Sequence, residues 1–203
     1  MRSIKRSTKI LSRIVAAMIG IALCTGTAQG ASAAPGVGTP GEVVATPATR
    51  PAGVAASDDV TCVAPINIRS VITGKLVSTE VGWGGDYNGM LRARATVEGP
   101  WERYSFCHNI SEGYWYIMAY GNGRFVSAEI GWSGEDYGLL RARASEIGAW
   151  EKFEVECDNN NTTIRSKANT LWVSTDLTFE NLLRAGSDDF WPGEWEMFRT
   201  RLC

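Results

Sequence analysis

The sequence GWGGDYNGMLRARA at residues 82–95 is nearly repeated as GWSGEDYGLLRARA at residues 131–144, which begins 49 positions further along the chain. In the LRARA half of each copy, apolar and charged residues alternate with the period of two that is typical of a β-strand. Leu91, Ala93 and Ala95 are therefore predicted to face one side of a strand, and Arg92 and Arg94 the other. The Gly-rich half before them is predicted to be a loop.

The chain from residue 60 onward aligns with itself as three units. Each unit contains a short alternating run, KLVSTE, RFVSAE or LWVSTD, and a Trp-Glu pair, at residues 101–102, 150–151 and 195–196. The third unit has only a shortened loop, LTFENLLRAG. Four short strands per unit without a helical period predict an all-β fold with pseudo-threefold symmetry. We predict a β-trefoil of three four-stranded repeats over residues 60–203, with repeats at 60–107, 108–157 and 158–203.

This repeat resembles that of fascin-like β-trefoil domains of the secreted bacterial type. The shared pattern is Gly-x-Phe/Leu-Val-Ser-x-Glu, then a Gly-rich loop leading into Leu-Arg-Ala, then Trp-Glu-x-aromatic, and it covers residues 60–203 with a degraded third copy. The resemblance implies the trefoil fold and a family that ranges from actin bundlers to modules of secreted bacterial proteins. Actin bundling uses several tandem trefoils, so the resemblance does not imply it for this single one.

The first 59 residues differ in composition from the repeats. Residues 1–34 contain five basic residues followed by a ten-residue apolar run and the small residues ASAA, which is the pattern of a secretory signal peptide. Residues 35–59 hold four of the seven prolines and no aromatic residue, so a flexible extended arm is predicted. The arm is either a plain spacer or a strand added to a partner's sheet through Val43 and Val44. A separate feature of the arm is Arg50 before Pro51, which in a protease-like cleft would present a basic side chain while resisting cleavage.

Charge limits the classes of partner. The predicted signal peptide carries five of the 20 basic residues and none of the 22 acidic ones, so the remainder has a net charge of −7. Such a chain is a poor ligand for nucleic acid or for an anionic membrane surface. We therefore expect a secreted protein whose partner is another protein or a glycan, with no nucleic acid and no membrane.

Four cysteines remain after the predicted signal peptide: Cys62, Cys107, Cys157 and Cys203. An even number in an exported chain predicts two disulfides. Cys62 opens the first unit and each of the others closes a unit, so all four are expected at one end of the barrel. Because the first and last strands adjoin in a trefoil, we favour the pairing Cys62–Cys203 with Cys107–Cys157 among the three that are possible.

The Gly-rich loop is the main candidate for binding because two units keep it and the third shortens it. The candidate residues are its aromatic and acidic side chains, Trp83, Asp86 and Tyr87 in one copy and Trp132, Asp136 and Tyr137 in the other. They suit either a protein hot spot or a sugar site, although a plain role in covering the barrel mouth is the simpler alternative. Arg92 and Arg141 are further candidates. We favour pairing of these arginines, and of Arg94 and Arg143, with acids on the same hairpin, namely Glu80, Asp86, Glu129 and Asp136.

The features that recur in all three units are assigned to the scaffold. The hydrophobic layers are predicted to contain the six aromatic residues Trp101, Tyr104, Trp150, Phe153, Trp195 and Phe198. The glutamates of the Trp-Glu pairs are predicted to cap turn amides: Glu102, Glu151 and Glu196.

Catalysis and metal binding find little support in the sequence. His108 is the only histidine, and no cysteine pair has zinc-ligand spacing, so neither a catalytic triad nor a metal or cofactor site is predicted. Gln29 is the only glutamine, whereas ricin-type trefoil lectins are recognised by a repeated Gln-x-Trp. The leading hypothesis is a secreted, non-enzymatic protein-binding adaptor, and the alternative is a carbohydrate-binding module. The combination of signal peptide, arm and small trefoil also resembles the adaptor subunits of actinomycete umbrella-type toxin particles.

Overall fold

A computed structural model describes residues 59–203, which form an all-β structure with short 3-10 turns. The predicted signal peptide and arm, with Val43, Val44 and Arg50, lie outside the described residues. The strands within residues 59–203 are, in chain order, β1 (Val60–Ile66), β2 (Arg69–Ser70), β3 (Leu76–Glu80), β4 (Met90–Ala95), β5 (Tyr104–Asn109), β6 (Tyr114–Ala119), β7 (Arg124–Ala128), β8 (Leu140–Ala144), β9 (Phe153–Asp158), β10 (Asn161–Ser166), β11 (Trp172–Asp176), β12 (Leu182–Ser187) and β13 (Met197–Arg199).

Seven of the strands form a closed barrel. Its antiparallel pairs run from β1 to β5, β6, β9, β10, β13 and β2 in that order. Because β2 follows β1 after two residues, the two segments act as one interrupted strand, and the ring closes with six positions. Closure leaves no free edge among the barrel strands, which removes a site for unwanted strand pairing.

The other strands form three hairpins that cover one end of the barrel. The hairpins are β3–β4, β7–β8 and β11–β12, and each comes from one of the three sequence units. They meet pairwise near their turns, through Met90 opposite Arg141, Leu182 opposite Arg92 and Leu139 opposite Arg184. This barrel with a triangular hairpin cap is the β-trefoil that the repeats predict.

The core follows from the period of two along each strand. In β4 the side chains of Leu91 and Ala93 are buried, whereas Arg92 is half-buried and Arg94 is exposed. Tyr104, Phe153 and Phe198 occupy equivalent barrel positions and are completely buried, as predicted. A separate small cluster at the centre of the cap contains Met90, Leu139 and Leu182, with Trp83, Trp132 and Phe179 packed around it. The hairpin turns are therefore held together by their own apolar cluster.

The predicted disulfide pairing is wrong. The bonds join Cys62 to Cys107 and Cys157 to Cys203, instead of Cys62 to Cys203 and Cys107 to Cys157. The first and last strands do adjoin, but β13 pairs with β2 at residues 69–70, whereas Cys62 lies directly opposite Cys107 in the β1–β5 pair. The first barrel strand is therefore divided: its β1 part, which contains Cys62, pairs with β5, and its β2 part pairs with β13. The first disulfide links the paired strands β1 and β5, whereas the second links β9 to the residues after β13, although β10 lies between these two strands.

Candidate functional site

The two Gly-rich loops have the same backbone structure. Each contains one 3-10 turn, at Gly85–Tyr87 and Gly134–Asp136, and the offset between the two turns is a constant 49 residues. Tyr87 is therefore equivalent in structure to Asp136, whereas the sequence comparison had paired Tyr87 with Tyr137. The two loops have the same backbone conformation, but the last residue of the 3-10 turn is a tyrosine in one and an aspartate in the other.

Gly89 and Gly138 close these loops in a conformation that only glycine adopts easily. Their φ angles are +88° and +77°, and a Cβ atom at either position would lie 2.4 Å from a carbonyl oxygen of the next hairpin, that of Ala142 or Ala185. At each position the glycine carbonyl accepts a hydrogen bond from the amide of the same residue, Ala142 or Ala185, at 2.8 Å. The glycines thus let each turn approach the next hairpin closely.

The two loops form one composite surface, which we call the loop pair and define as residues 82–89 and 131–138. The Tyr87 hydroxyl donates a hydrogen bond to Asp136 Oδ1 at 2.9 Å, and the Tyr87 ring lies 6.1 Å from the Trp132 ring. Between the loops is an open cleft of about 400 Å³ lined by Asp86, Tyr87, Gly131, Trp132, Ser133 and Asp136. The structure therefore brings Asp86, Tyr87, Trp132 and Asp136 together at one site. Trp83 and Tyr137 do not line this cleft, because Trp83 packs in the cap and the Tyr137 hydroxyl contacts Asn169.

The hydrogen bond to Asp136 also affects the ionisation of Tyr87. It is the largest of the effects that raise the pKa of the Tyr87 phenol above its usual 10.0, and partial burial and the charges of Asp136 and Asp86 add to it. The phenol is therefore protonated at neutral pH and donates a hydrogen bond to Asp136. One oxygen of Asp136 is engaged in this contact, and Asp86 adds a second carboxylate to the cleft.

Arginines of the cap bind the loops through the main chain. Arg141 Nε donates to the carbonyl oxygen of Asn88 at 2.8 Å, Arg184 Nη1 to that of Tyr137 at 2.6 Å, and Arg92 Nε to that of Glu180 at 2.9 Å. In each case an arginine of one hairpin holds the turn of the preceding hairpin around the ring.

The same three arginines also lie over aromatic rings of their own units. Arg92 covers Trp83, Arg141 covers Trp132 and Arg184 covers Phe179, with distances to the ring centres of 5.6, 5.9 and 5.8 Å. The third unit thus keeps the cation–π contact with a phenylalanine in place of tryptophan. Because all three units repeat the arrangement, Arg92 and Arg141 contribute to the scaffold of the cap.

The predicted ion pairs on the hairpins are partly confirmed. Arg94 pairs with Glu80 and Arg143 with Glu129, in both cases with a buried carboxylate. Asp86 and Asp136, in contrast, form no ion pair within residues 59–203, so the expectation that they pair with the arginines is wrong. The arginine that reaches the first loop, Arg141, donates to main-chain carbonyls of that loop instead of to a carboxylate. Both aspartates remain at the surface or near it.

The prediction that the tryptophans of the three Trp-Glu pairs lie in the core is wrong. Trp101 and Trp195 are 46% and 48% exposed, and Trp150 is half-buried. The reason is that each pair lies at a short turn before a barrel strand, where the glutamate points inward. The carboxylates of Glu102, Glu151 and Glu196 accept hydrogen bonds from the amides of Gly99, Gly148 and Gly193 at 2.8–2.9 Å, which confirms their predicted capping role. The neighbouring tryptophan must therefore face outward.

A second exposed surface was missed by the sequence comparison. Phe190 and Trp191 are 85% and 78% exposed, and they lie in the segment between β12 and β13. The sequence contained one signal for it, because seven residues separate Ser187 from Trp195, whereas five separate the equivalent residues 95 and 101 or 144 and 150. We call the residues between the end of each hairpin and the Trp-Glu pair the return segment, which is 96–100, 145–149 or 188–194. The third unit thus has a shorter loop but a longer return segment.

Neither a metal cluster nor a membrane-spanning helix is found in the described part of the chain. Residues 59–203 contain no group of three or more His, Cys, Asp or Glu side chains arranged to hold a metal ion. Over the same residues, no helix is long and apolar enough to cross a membrane. The ring of His108 is stacked on Trp115 at 4.7 Å between neighbouring barrel strands.

Comparison with known proteins identifies the fold and no closer relationship. No protein-family description matches the sequence, and no curated protein matches it. Among solved structures, the designed threefold-symmetric protein ThreeFoil is similar with a TM-score of 0.55 and 11% identity, over 66% of this chain and 96% of that one. The molecule is a β-trefoil.

Two natural proteins are similar over a comparable share of this chain. The ricin B-like lectin of Macrolepiota procera, solved in complex with lactose, has a TM-score of 0.51 and 12% identity, over 68% of this chain and 94% of that one. A mosquitocidal holotoxin has a TM-score of 0.57 and 9% identity, over 68% of this chain but only 17% of the toxin chain. At these identities the similarity establishes the architecture alone, so function must be argued from the surfaces of this trefoil.

Proposed function

We propose that the protein is a secreted, non-enzymatic adaptor that binds another protein of an extracellular complex through the loop pair. The observation that carries this proposal is the contact between Tyr87 and Asp136, which joins the two loops into one aromatic and acidic surface. Aromatic residues at the centre of a surface, with polar groups around them, are typical of protein-binding hot spots. The third hairpin, whose turn is shorter, does not repeat this surface.

The repeated contacts support a division between scaffold and binding surface. The arginines and their aromatic partners recur in all three units and hold the cap, so the fold accounts for them. The exposed Asp86 and Glu135 and the exposed face of Tyr87 are not needed for these contacts. Both disulfides are compatible with an extracellular location.

In this proposal the arm of residues 35–59 engages a second partner, with Val43 and Val44 as an added strand and Arg50 as its basic side chain. The arrangement matches the resemblance to adaptor subunits of umbrella-type toxin particles. The trefoil within a mosquitocidal holotoxin supports a toxin-associated role for the fold. Deleting residues 35–59 should remove one partner from complexes purified out of culture fluid and leave the other bound; complexes that are unchanged would show that the arm is a spacer.

The test of the main proposal is affinity purification of the tagged full-length protein from the culture fluid of the organism that produces it. We expect a protein in near-stoichiometric amount with the natural chain, and at least about tenfold less with Asp86→Ala plus Tyr87→Ala. The matched control is Glu146→Ala plus Glu156→Ala, two exposed acids outside the loop pair. The proposal fails if no protein accompanies the natural chain, or if the loop variant retains it fully.

The cleft of the loop pair favours a glycan as a second candidate partner. Its lining combines Trp132 with Ser133 and the acidic residues Asp86 and Asp136, a mixture that suits the hydroxyl groups and apolar face of a sugar. The similarity in fold to a lactose-bound lectin supports this alternative. Because Trp132 also packs in the cap, Asp86→Asn with Asp136→Asn is a better test than loss of the tryptophan. Glycan-array binding that disappears in this variant would support the candidate, and an array without any binding by the natural chain would exclude it.

A further inference from the structure

The return segment of the third unit contains a protrusion that the trefoil does not require. Gly193 donates its amide hydrogen bond to Glu196 at 2.9 Å, the same cap that Gly99 and Gly148 make in the other units. Since this cap is retained, the two extra residues fall between the end of β12 at Ser187 and Gly193. We call residues 188–192, with the sequence DDFWP, the tip.

The tip contains the two most exposed large apolar side chains of the described residues. Phe190 and Trp191 are adjacent and both more than three-quarters exposed, and Trp195 beyond them is about half exposed. The equivalent segment of the first unit has a single exposed apolar side chain, Val97, and in the second unit Ile147 is half-buried. Trp101 of the first unit is exposed to the same degree as Trp195, so the feature that only the third unit has is the adjacent pair Phe190 and Trp191. Isolated exposed apolar residues are ordinary, whereas two adjacent and highly exposed aromatic residues indicate an interaction site.

The two aromatic rings of the tip are in contact with each other. The rings of Phe190 and Trp191 pack edge to face, with centres 5.1 Å apart and planes at 86°. Pro192 follows them and restricts the backbone, and the Ser187 hydroxyl donates to Asp189 Oδ2 at 3.4 Å. Two rings that already contact each other lose less conformational entropy on binding than two independent side chains, which favours the pair as an anchor.

The charges around the tip indicate what it binds. Asp188, Asp189 and Glu194 are exposed and flank the aromatic residues, and none of the three forms an ion pair within residues 59–203. Carboxylates without a cationic partner next to exposed aromatic rings complement a surface that carries arginine or lysine. Arginine suits both parts of the tip, because it pairs with carboxylates and stacks on aromatic faces.

We propose that the tip is a second docking surface, whose occupant is an apolar pocket of another protein bordered by arginine or lysine side chains. This inference rests on the proposed function as a protein-binding adaptor, but it concerns a different surface. The tip follows the end of hairpin β11–β12 at which Trp172 pairs with Ser187, whereas the turn of that hairpin lies at the opposite end. The loop pair and the tip therefore act as separate sites.

The charge argues against two other occupants. An anionic lipid surface would be repelled by Asp188, Asp189 and Glu194, although aromatic residues alone favour membrane interfaces. A second copy of the chain would bring the same three carboxylates together across a symmetric contact. A basic pocket on a different protein satisfies both the aromatic and the acidic groups.

The first experiment replaces Phe190 by the photo-crosslinking residue p-benzoylphenylalanine in the full-length protein and irradiates it in the culture fluid of the producing organism. The control places the same residue at Val97, which is 76% exposed in the equivalent segment of the first unit. We expect an adduct with a different polypeptide from position 190 and none from position 97. Mass spectrometry identifies the polypeptide, and its crosslinked peptide should lie beside arginine or lysine residues.

The second experiment measures the affinity of the purified chain for the polypeptide that the first identifies. Phe190→Ser with Trp191→Ser should weaken binding by at least about 30-fold, as expected for paired aromatic anchors. Asp188→Asn, Asp189→Asn and Glu194→Gln together should weaken it by about 3- to 10-fold and reduce its dependence on salt. Val97→Ser should change the affinity by less than about twofold, because its partner does not contact that segment.

Each other result overturns the inference. It fails if position 190 forms no adduct or only an adduct with a second copy, or if the identified protein binds the tip variants normally. Binding to phosphatidylglycerol vesicles that is lost in the double aromatic variant would assign the tip to membranes instead. If the variant Asp86→Ala plus Tyr87→Ala loses a partner that both tip variants still bind, the proposed adaptor function stands. In that case only the proposal that the tip is a docking surface is excluded.

Discussion

The hairpin cap and the return segments of this trefoil use the threefold repeat in opposite ways. At the cap, each unit supplies an arginine that covers an aromatic ring and holds the preceding turn, so that even the shortened third turn makes the contact with Phe179. In the return segments, each unit keeps the glutamate cap and an outward-facing tryptophan, but only the third adds the exposed pair Phe190 and Trp191. Contacts that repeat in all units are explained by the scaffold, whereas a feature of one or two units needs another explanation.

The largest expected effect separates the two aromatic residues of each repeat. Phe198→Ala should lower the free energy of unfolding by about 3–5 kcal/mol, because it removes a completely buried ring. Trp195→Ala, three residues earlier, should cost about 1 kcal/mol or less, since half of the side chain is already in contact with water. Urea unfolding of both variants measures the difference, and equal losses would contradict the division between inner and outer aromatic residues.

The disulfides give the next largest effect and extend the comparison to the barrel. Removing the bond between Cys62 and Cys107 by substitution of both with alanine should cost about 2–4 kcal/mol, because a loop of 45 residues is no longer closed in the unfolded chain. The bond between Cys157 and Cys203 closes 46 residues and should contribute the same amount. Thermal unfolding measures both losses. Peptide mapping without reduction should recover Cys62 with Cys107, and recovery of Cys62 with Cys203 would contradict the structure.

The sequence predicted the fold well because the trefoil follows from repeated local patterns. The alternation in LRARA defines a strand and its buried face, and three copies of the Trp-Glu pair define the number of units. The disulfide pairing was wrong because it depends on where along a strand two neighbours meet. The break between β1 and β2 decides that, and no local pattern of residues reveals it.

The candidate site was predicted only in part for a similar reason. The sequence indicated the two loops, but it paired Tyr87 with Tyr137, because matching identical letters suggested a shift of one residue. The structure keeps a constant offset, so Tyr87 and Asp136 occupy equivalent positions and meet across the cleft. The tip was missed because a self-comparison emphasises what repeats, and the insertion in the third unit does not repeat.

A smaller effect tests whether the arginines belong to the scaffold. Arg141→Ala and Arg184→Ala should each lower the free energy of unfolding by about 1–2 kcal/mol, since each loses a hydrogen bond to a main-chain carbonyl and a contact with an aromatic ring. Arg124→Ala, an exposed arginine at the start of β7, should change it by about 0.5 kcal/mol or less. Chemical denaturation measures all three. Loss of partner binding by Arg141→Ala at unchanged stability would assign this arginine to the binding surface instead.

The smallest effect concerns the one hydrogen bond that joins the two loops. Because Asp136 is the main cause of the raised pKa of Tyr87, Asp136→Asn should bring this pKa back toward the usual 10.0, whereas Asp86→Asn should lower it less, through loss of a minor charge effect. Titration of the Tyr87 ring carbon by NMR, with Tyr87→Phe to assign the signal, measures both shifts. Equal shifts in the two variants would show that general charge, and not the hydrogen bond, holds the phenol protonated.

The sign of the pH dependence follows from the same contact. The pKa of Tyr87 is higher in the folded chain than in the unfolded one, so the stabilisation is fully present below pH 10 and is lost as pH rises through the folded-state value. Ionised Tyr87 no longer donates to Asp136 and is repelled by it, so the loops should separate at the cleft.

If the loop pair is the binding surface, partner affinity should fall over the same pH range in the natural chain. In Tyr87→Phe, which already lacks the donor, affinity should be lower at neutral pH and lack this particular fall. If partner affinity depends on pH in the same way in the natural chain and in Tyr87→Phe, the hydrogen bond between the two loops is not needed for binding.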